Sequence, residues 1–202
     1  KFNENIESAI LTFDNKYIIA VGEDHIAKIW SIKDYKCIDS IKHHSSKSVS
    51  VNRDGDLLTL FGGTVKRWSI NDTINDTVYM VYKDSIINKY IYDATFIHDG
   101  KHILTRESDD IIRVWGKNDG GYCCLEEYSC FHINLLSCSD TNLFVSKCGD
   151  RLNLYMMEND KTEDIIINEK DVTKISFSPD GKYILTKSNN GVRLWSVEAG
   201  EL

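Results

Sequence analysis

The sequence predicts an all-β protein in which a unit of four short antiparallel strands is repeated about five times. Three observations support this prediction. A closing aromatic residue recurs about every forty residues, an aspartate-containing turn recurs at the same spacing, and short β-prone runs lie between them. No stretch of the 202 residues shows sustained helical periodicity. Residues 1–202 therefore form one repetitive domain, with units of approximately 6–41, 46–82, 90–128, 131–167 and 172–202.

The closing aromatics and the turn aspartates define the repeat independently of each other. Each aspartate precedes its aromatic by about fifteen residues, and two measures with one period are not expected by chance. We therefore assign structural roles to the five aromatics. They are Trp30, Trp68, Trp115, Tyr155 and Trp195, and the corresponding aspartates are Asp14, Asp54, Asp99, Asp140 and Asp180.

Each turn is followed by a short apolar run that we predict to be the second strand of its unit. Four of the turns pair aspartate with glycine or asparagine, which tolerate positive φ and suit a tight hairpin. These turns are Asp14-Asn15, Asp54-Gly55, Asp99-Gly100 and Asp180-Gly181. The predicted second strands contain residues 17–20, 57–60, 102–105, 143–146 and 183–186.

The strand that ends in the aromatic alternates apolar and polar residues, as at 27–30, 112–115 and 192–195. A cation two residues before the aromatic shares its face and can lay its aliphatic stem on a neighbouring sheet. An outer strand follows, for example at 37–41 and 79–82. Four short antiparallel strands in about forty residues form a blade of a β-propeller.

The chain resembles the WD-repeat family over essentially its whole length. The best-matching residues are Phe177-Ser178-Pro179-Asp180-Gly181 with Leu194-Trp195-Ser196, and Asp24 through Trp30-Ser31. The usual closing Trp-Asp pair is absent, because serine follows Trp30, Trp68 and Trp195, and glycine follows Trp115. The resemblance implies a WD-repeat β-propeller of four-stranded antiparallel blades, and it depends on the repeat spacing.

In this family a blade is often tied by a hydrogen-bonded set of an aspartate, a histidine, a serine or threonine, and the tryptophan indole. The resemblance assigns Asp24 and Asp109 to the aspartate position and places His43 or His44 near the histidine position of the second unit. The second unit has Gly62 where the aspartate is expected, and no single unit carries the full set. We therefore expect blades held mainly by apolar packing, and a modest melting temperature.

The ring of blades must close, because an open end blade leaves a strand edge unpaired. Five units are few for this family, in which seven are common, and the chain ends shortly after the third strand of its last unit. We expect a piece of a larger or incompletely closed ring. A missing chain segment, self-association with a second chain, or an unusual five-bladed ring could each complete it.

Composition excludes several classes of function. The net charge of −7 disfavours nucleic-acid binding, which requires a basic face, and no apolar run is long enough to cross a membrane. The chain begins at Lys1 without a secretion signal, so we expect a removed start or a segment of a longer protein. The six cysteines are irregularly spaced, which favours free thiols and a cytoplasmic location.

No motif predicts catalysis, a cofactor or a metal. A Gly-x-Ser-x-Gly elbow, a catalytic-cysteine signature and a phosphate-binding loop are all absent from the sequence. The nearest approach to a metal cluster lacks the paired spacing of structural zinc sites, so half-buried thiols are the preferred interpretation. That cluster is Cys123, Cys124, Cys130, His132 and Cys138. We expect a protein that is not an enzyme.

The remaining candidates are loop residues on the rim that, in this family, commonly binds peptides or partner domains. Acidic loops in units one and three suggest an arc that favours a basic peptide, with an ordinary solvated loop set as the alternative. The predicted function is a protein-interaction scaffold, or alternatively a regulatory or sensor segment of a larger signalling protein. The candidate contact residues are Glu23, His25, His43, His44, Glu107, Asp110, Arg151 and Asn190.

Overall fold

The computed structural model of the protein contains strands and turns, and no helix in the residues that it describes. Those residues are 5–42, 49–61, 63–74, 77–87, 91–97, 100–108, 110–119, 121–129, 133–138, 143–158, 161–178 and 180–197. Within them, nothing forms a helix long and apolar enough to cross a membrane.

The strands form five antiparallel sheets, which agrees with the predicted all-β repeat. Four sheets have four strands and the fifth has three, and consecutive strands of the chain are neighbours in every sheet. The first sheet is β1 Ile6–Leu11, β2 Tyr17–Gly22, β3 Ile26–Ser31 and β4 Cys37–Lys42, and the second is β5 Val49–Val51, β6 Asp56–Phe61, β7 Thr64–Ile74 and β8 Thr77–Ile87.

The other three sheets follow the same plan. The third sheet is β9 Ile91–Ile97, β10 His102–Glu107, β11 Ile111–Asn118 and β12 Gly121–Ser129. The fourth sheet is β13 Ile133–Cys138, β14 Leu143–Cys148, β15 Arg151–Glu158 and β16 Lys161–Asn168, and the fifth is β17 Val172–Phe177, β18 Tyr183–Ser188 and β19 Gly191–Ser196. All predicted second and third strands lie within these elements.

The chain divides into two compact units. One contains Lys1–Phe96 and Lys117–Cys123, and therefore holds the first and second sheets. The other contains Ile97–Gly116 and Cys124–Leu202, and holds the fourth and fifth sheets with the β10–β11 hairpin. The division passes through the third sheet.

The predicted turns have the expected conformations. Gly55, Gly181 and Asn15 have φ of 82°, 71° and 57°, in the left-handed region that glycine and asparagine tolerate best. In the last hairpin the Ser178 hydroxyl donates to Asp180 Oδ1 at 2.6 Å, and the Lys182 amide donates to the same oxygen at 3.1 Å. These two hydrogen bonds lower the pKa of Asp180. The aspartate therefore stabilises the turn.

Each sheet has two different faces. The aromatic face carries the closing aromatic, as in the pairs Ile184↔Trp195 and Phe144↔Tyr155, and the aliphatic face carries the alternate residues. Within each compact unit, the aliphatic face of one sheet packs on the aromatic face of the next. In the clearest case Leu143, Val145, Leu152 and Leu154 of the fourth sheet are buried with Val172, Ile175, Ile184 and Trp195 of the fifth.

Three tryptophans form the indole-to-threonine hydrogen bond that belongs to the set implied by the resemblance. The indole Nε1 of Trp68, Trp115 and Trp195 donates to a threonine hydroxyl on the neighbouring strand, at 2.8, 2.8 and 3.0 Å. The acceptors are Thr59, Thr105 and Thr186. A buried indole N–H requires such a partner, so each threonine fixes the orientation of its tryptophan.

In the third sheet this hydrogen bond continues into a buried ion pair. The Thr105 hydroxyl donates to Glu107 Oε1 at 3.4 Å, and Arg113 donates to the other oxygen of Glu107 and, at 2.8 Å, to Glu127. Burial would lower the pKa of Arg113, but its hydrogen bonds to the two glutamates hold that pKa above the ordinary value. The third sheet therefore has a connected chain of Trp, Thr, Glu and Arg.

The fifth sheet builds the same chain from another part of the sequence. Glu169, immediately before β17, accepts from the Thr186 hydroxyl and, at 3.2 Å, from Arg193. The Glu169 side chain is 1% exposed. The expectation that apolar packing holds the blades therefore omitted a polar component, and the head groups of Arg113 and Arg193 are paired.

The first and fourth sheets depart from this pattern. Ala20 pairs with Lys28 at the position that a threonine occupies in the third and fifth sheets. In the fourth sheet Ser146 pairs with Asn153, and Asn153 Nδ2 donates to the Tyr155 hydroxyl at 3.2 Å. The substitution of Tyr155 for tryptophan is therefore accompanied by asparagine in place of arginine.

Candidate partner-binding surfaces

The second turn of the first sheet holds three of the residues singled out in the sequence. Glu23 is exposed and accepts from Asn5 Nδ2 at 3.1 Å. Asp24 accepts from the Ile26 amide at 3.1 Å and forms an ion pair with Lys28. The Lys28 ammonium and the Ile26 amide lower the pKa of Asp24, although partial burial opposes them. Asp24 therefore stabilises its own turn, and its charge is largely compensated.

His25 and Asp110 occupy equivalent turn positions, with φ of 57° and 60°. Each is the residue that immediately precedes a third strand, and both are half-buried. His25 Nδ1 is buried and has no hydrogen-bond partner among the described residues. Asparagine, aspartate and histidine are enriched at positive φ, so turn geometry explains both residue types. Their predicted roles in binding remain predictions.

Glu107 does not belong to an exposed acidic arc. The residue is 3% exposed, and its carboxylate is paired with Arg113 inside the third sheet. A buried, paired carboxylate is not available to a basic peptide without loss of the internal ion pair. This corrects the candidate role that the sequence assigned to Glu107. Among the described residues of the arc, Glu23 is exposed and Asp110 is half-buried.

Arg151 and Asn190 are exposed residues of the second-turn loops in the fourth and fifth sheets. The Asn190 amide donates to Ser188 Oγ at 3.3 Å, and Arg151 is the first residue of β15. Both remain candidate contact residues. His43, His44 and Asp109 lie outside the described residues.

The cysteine-rich segment gives no support for a metal site where it is described. Cys37, Cys123 and Cys124 are not joined in disulfide bonds. In the part of the chain that the structure describes, no three histidine, cysteine or acidic side chains are placed to hold a metal ion. Cys130, His132 and the side chain of Cys138 lie outside that part.

A hollow between the first turns of the first and second sheets was missed by the sequence analysis. We call it the first-turn hollow. Phe13 is 47% exposed at its edge, and the Arg53 guanidinium carbon lies 5.9 Å from the centre of the Phe13 ring. The hollow is lined by Thr12, Phe13, Asp14, Tyr17, Arg53, Asp54, Gly55 and Ile70.

The two turns hold the first-turn hollow in shape. Thr12 Oγ1 donates to Asp14 Oδ1 at 2.6 Å, and the Lys16 amide donates to the same oxygen at 3.0 Å. Partial burial would raise the pKa of Asp14, but these hydrogen bonds and the Lys16 ammonium lower it. Asn52 Oδ1 accepts from the Asp56 amide at 2.7 Å in the facing turn. The Phe13 ring and the Arg53 guanidinium are therefore presented from backbone that is already ordered.

The residue immediately before the turn aspartate is the signal that could have identified this hollow. The hydrogen bonds of each turn are made by the residues on either side of this position, so the side chain at the position can differ from unit to unit. It is Phe13, Arg53, His98 and Pro179 in units one, two, three and five. A variable position within a constant turn indicates a surface role.

The fifth sheet is the part of the chain in which a known family is most directly detected. The sequence profile described as "WD domain, G-beta repeat" matches residues 165–196, which include the Glu169, Thr186 and Trp195 network. A solved structure titled "Structure of U3-55K" superposes on the whole chain with a TM-score of 0.74 at 13% identity, and the chain covers 64% of it. Residues 165–196 match a WD repeat.

The similarity to curated relatives extends beyond the fifth sheet. The chain is 26% identical over 196 residues to "WD repeat-containing protein 26 homolog" of Arabidopsis thaliana, covering 92% of this chain and 32% of that protein. It is 20% identical over 200 residues to "Target of rapamycin complex subunit LST8" of Bos taurus, covering 93% of this chain and 59% of that protein. The chain spans between about a third and three fifths of the length of these relatives. The all-β sheets and the structural neighbour give the fold as a WD-type β-propeller array.

Proposed function

We propose that the chain is a non-catalytic interaction module that binds a partner protein at the first-turn hollow. The observation that carries the proposal is an exposed aromatic ring beside a guanidinium on a rim of ordered turns. Aromatic and arginine side chains are enriched in protein interfaces, and a few such residues often dominate the binding energy. The flanking Asp14 and Asp54 add negative charge, so the hollow suits an apolar side chain with polar neighbours of either sign.

The use of charge elsewhere in the molecule supports a scaffold rather than an enzyme. Arg113 and Arg193 are paired with Glu107 and Glu169, and both glutamate side chains are 1% exposed. These ion pairs orient the threonines that hold the tryptophans. The buried glutamates and their arginines, which are residue types that enzymes often use in catalysis, therefore have a structural role here. The absence of disulfide bonds at Cys37, Cys123 and Cys124 supports a proposed location in the cytoplasm, where thiols stay reduced.

A regulatory or sensor segment of a longer protein is the second candidate. It is favoured by the length of the Arabidopsis relative, of which the matched region is about a third. In that case the first-turn hollow would contact an attached domain of the same polypeptide. Both candidates use the same hollow and differ in the source of the bound segment.

Affinity capture from cells that produce the protein tests the proposed function. We expect Phe13→Ala combined with Arg53→Ala to reduce recovery of the bound partner at least about tenfold, which corresponds to about 1.4 kcal/mol of interface energy. The matched control is Tyr92→Ala, which removes another exposed aromatic, 61% accessible, from β9. Equal recovery of the partner with the double variant and with the control would exclude the first-turn hollow as the binding site.

A second arm of the same experiment tests the rim predicted from the sequence. Arg151 is exposed in a second-turn loop, and Arg151→Ala removes its guanidinium without touching the first-turn hollow. We expect recovery of the partner to be unchanged. A loss with Arg151→Ala and none with the double variant would move the binding site to the second-turn rim.

A further inference from the structure

The hairpin of the second sheet is longer than the repeat requires. Strands β7 and β8 have 11 residues each, more than any other strand of the described structure. Trp68 and Trp115 are also farther apart in the sequence than any other two consecutive closing aromatics. The extra residues come after Trp68, in the stretch that contains the rest of β7 and all of β8. An insertion within a repeat protein is often found on its binding face.

The two strands of this hairpin continue past the strand beside them. The last pair between β6 and β7 is Asp56↔Ser69, where β6 begins. Beyond that point β8 stays paired with β7 as far as Ile74↔Thr77. Among the described residues, 70–74 therefore have a partner strand on the β8 side and none on the β6 side. We call residues 70–74 the free β7 edge.

The free β7 edge distinguishes the second sheet from the others. In the first and fifth sheets the third strand ends level with the second, at Tyr17↔Ser31 and Tyr183↔Ser196. In the third and fourth sheets the third strand passes the second by a shorter length. A strand edge of this kind presents backbone N–H and C=O groups that can pair with a further strand. Extended peptides bind proteins by adding to such an edge.

The free β7 edge begins at the first-turn hollow. Ile70, its first residue, lines the hollow together with Asp54 and Gly55 of the turn that precedes β6. A strand that is added antiparallel to β7 lies in line with β6 and runs in the same direction as β6. It therefore starts beside Ile74 and reaches the hollow, with Phe13 and its neighbours, at its C-terminal end.

We propose that the partner segment bound at the first-turn hollow is extended and adds to the free β7 edge as an antiparallel strand. An apolar side chain near the C-terminal end of this segment fills the hollow. The inference rests on the proposed function and specifies the conformation and the direction of the bound segment. Backbone hydrogen bonds to β7 supply affinity, and the hollow supplies specificity. Antiparallel pairing continues the arrangement of the sheet and is the more stable of the two kinds.

Linear twelve-residue peptides selected from a random library on the immobilised 202-residue chain are the probe. Their affinity for the chain is measured by fluorescence anisotropy. We expect Phe13→Ala combined with Arg53→Ala to weaken the selected peptides at least about tenfold, because the hollow then lacks its ring and its guanidinium. The matched control, Tyr92→Ala, should leave their affinity unchanged.

Methylation of the backbone nitrogens of a selected peptide, one position at a time, tests strand addition. Alternate residues of an added antiparallel strand direct both their N–H and C=O groups to the neighbouring strand. Methylation at those positions should weaken binding about tenfold, since each removes a hydrogen bond and places a methyl group against β7. Methylation at the intervening positions should have little effect. Binding losses without a period of two residues would overturn the inference.

Hydrogen exchange measured by mass spectrometry locates the bound peptide on the protein. We expect amides within 70–74 to exchange at least about tenfold more slowly in the complex, and amides of the outer strand at 161–168 to be unchanged. Slower exchange at 77–87 without a change at 70–74 would place the peptide on the outer edge of β8 and overturn the inference. A photoreactive group at the C-terminal end of the peptide should attach to the turn at 52–55. Attachment there from the N-terminal end would contradict the antiparallel direction.

The inference and the proposed function fail in different ways. Peptides that depend on Phe13 and Arg53 but show neither the methylation period nor the protection of 70–74 would overturn strand addition and leave the hollow as the binding site. A library that yields no peptide dependent on the hollow would also overturn the inference, whereas the proposed function is decided by recovery of the partner in the affinity capture.

Discussion

Replacing Arg113 with methionine should lower the free energy of unfolding by about 3–5 kcal/mol, the usual cost of removing one partner of a buried ion pair. Glu107 would keep a negative charge at 1% side-chain exposure and would lose its ion pair with Arg113. Urea unfolding followed by tryptophan fluorescence measures this loss as a lower midpoint.

Two companion variants separate the ion pair from a general effect of losing an arginine. Arg151→Met changes an exposed arginine and should alter the free energy of unfolding by less than about 0.5 kcal/mol. Combining Arg113→Met with Glu107→Leu removes both charges and should recover most of the loss, since no carboxylate then stays buried after losing its ion pair. A loss below about 1 kcal/mol for Arg113→Met would show that water screens the pair.

Replacing Phe144 with alanine should lower the free energy of unfolding by about 3–5 kcal/mol, because it leaves a cavity in the core between the third and fourth sheets. Phe144 is fully buried, and its ring stacks on Tyr155 with the centroids 4.6 Å apart. Its neighbours in this core include Leu104 and Val114 on the aliphatic face of the third sheet. The same urea titration measures the loss.

Two other variants provide a scale for this loss. Phe144→Leu keeps most of the volume and should cost less than about 1.5 kcal/mol. Phe13→Ala removes a half-exposed ring whose contact with Arg53 is a surface cation–π interaction, and should cost less than about 1 kcal/mol. Equal losses for Phe144→Ala and Phe13→Ala would contradict the assignment of Phe144 to the core.

The repeat, the strands and the hairpin turns were predictable because their signals are local. Alternation of side chains places Thr105 and Glu107 on one face of β10, and Arg113 and Trp115 on one face of β11, so the third-sheet network could also have been found in the sequence. The resemblance instead implies aspartate and histidine as the residues that tie a blade. In the fifth sheet Glu169 and Thr186 are 17 residues apart, and that contact depends on sheet geometry.

The candidate surfaces were less predictable, because exposure depends on which sheet lies against which. The sequence places Glu107 in a loop-like acidic run, whereas the structure places it at the end of β10 and buries it. Phe13 and Arg53 belong to turns forty residues apart in the repeat and meet only because the first and second sheets pack together. Leu185 and Leu194 have the pattern of a buried face and are exposed.

Site-specific photo-crosslinking tests the central claim, that the first-turn hollow binds a partner protein, most directly. A photoreactive phenylalanine analogue is placed at position 13, and in separate samples at positions 92 and 151, and the protein is irradiated in the cells that produce it. We expect a defined crosslinked protein, or a defined segment of the same polypeptide, from position 13 alone. Crosslinks only from position 151, or the same products from positions 13 and 92, would contradict the account.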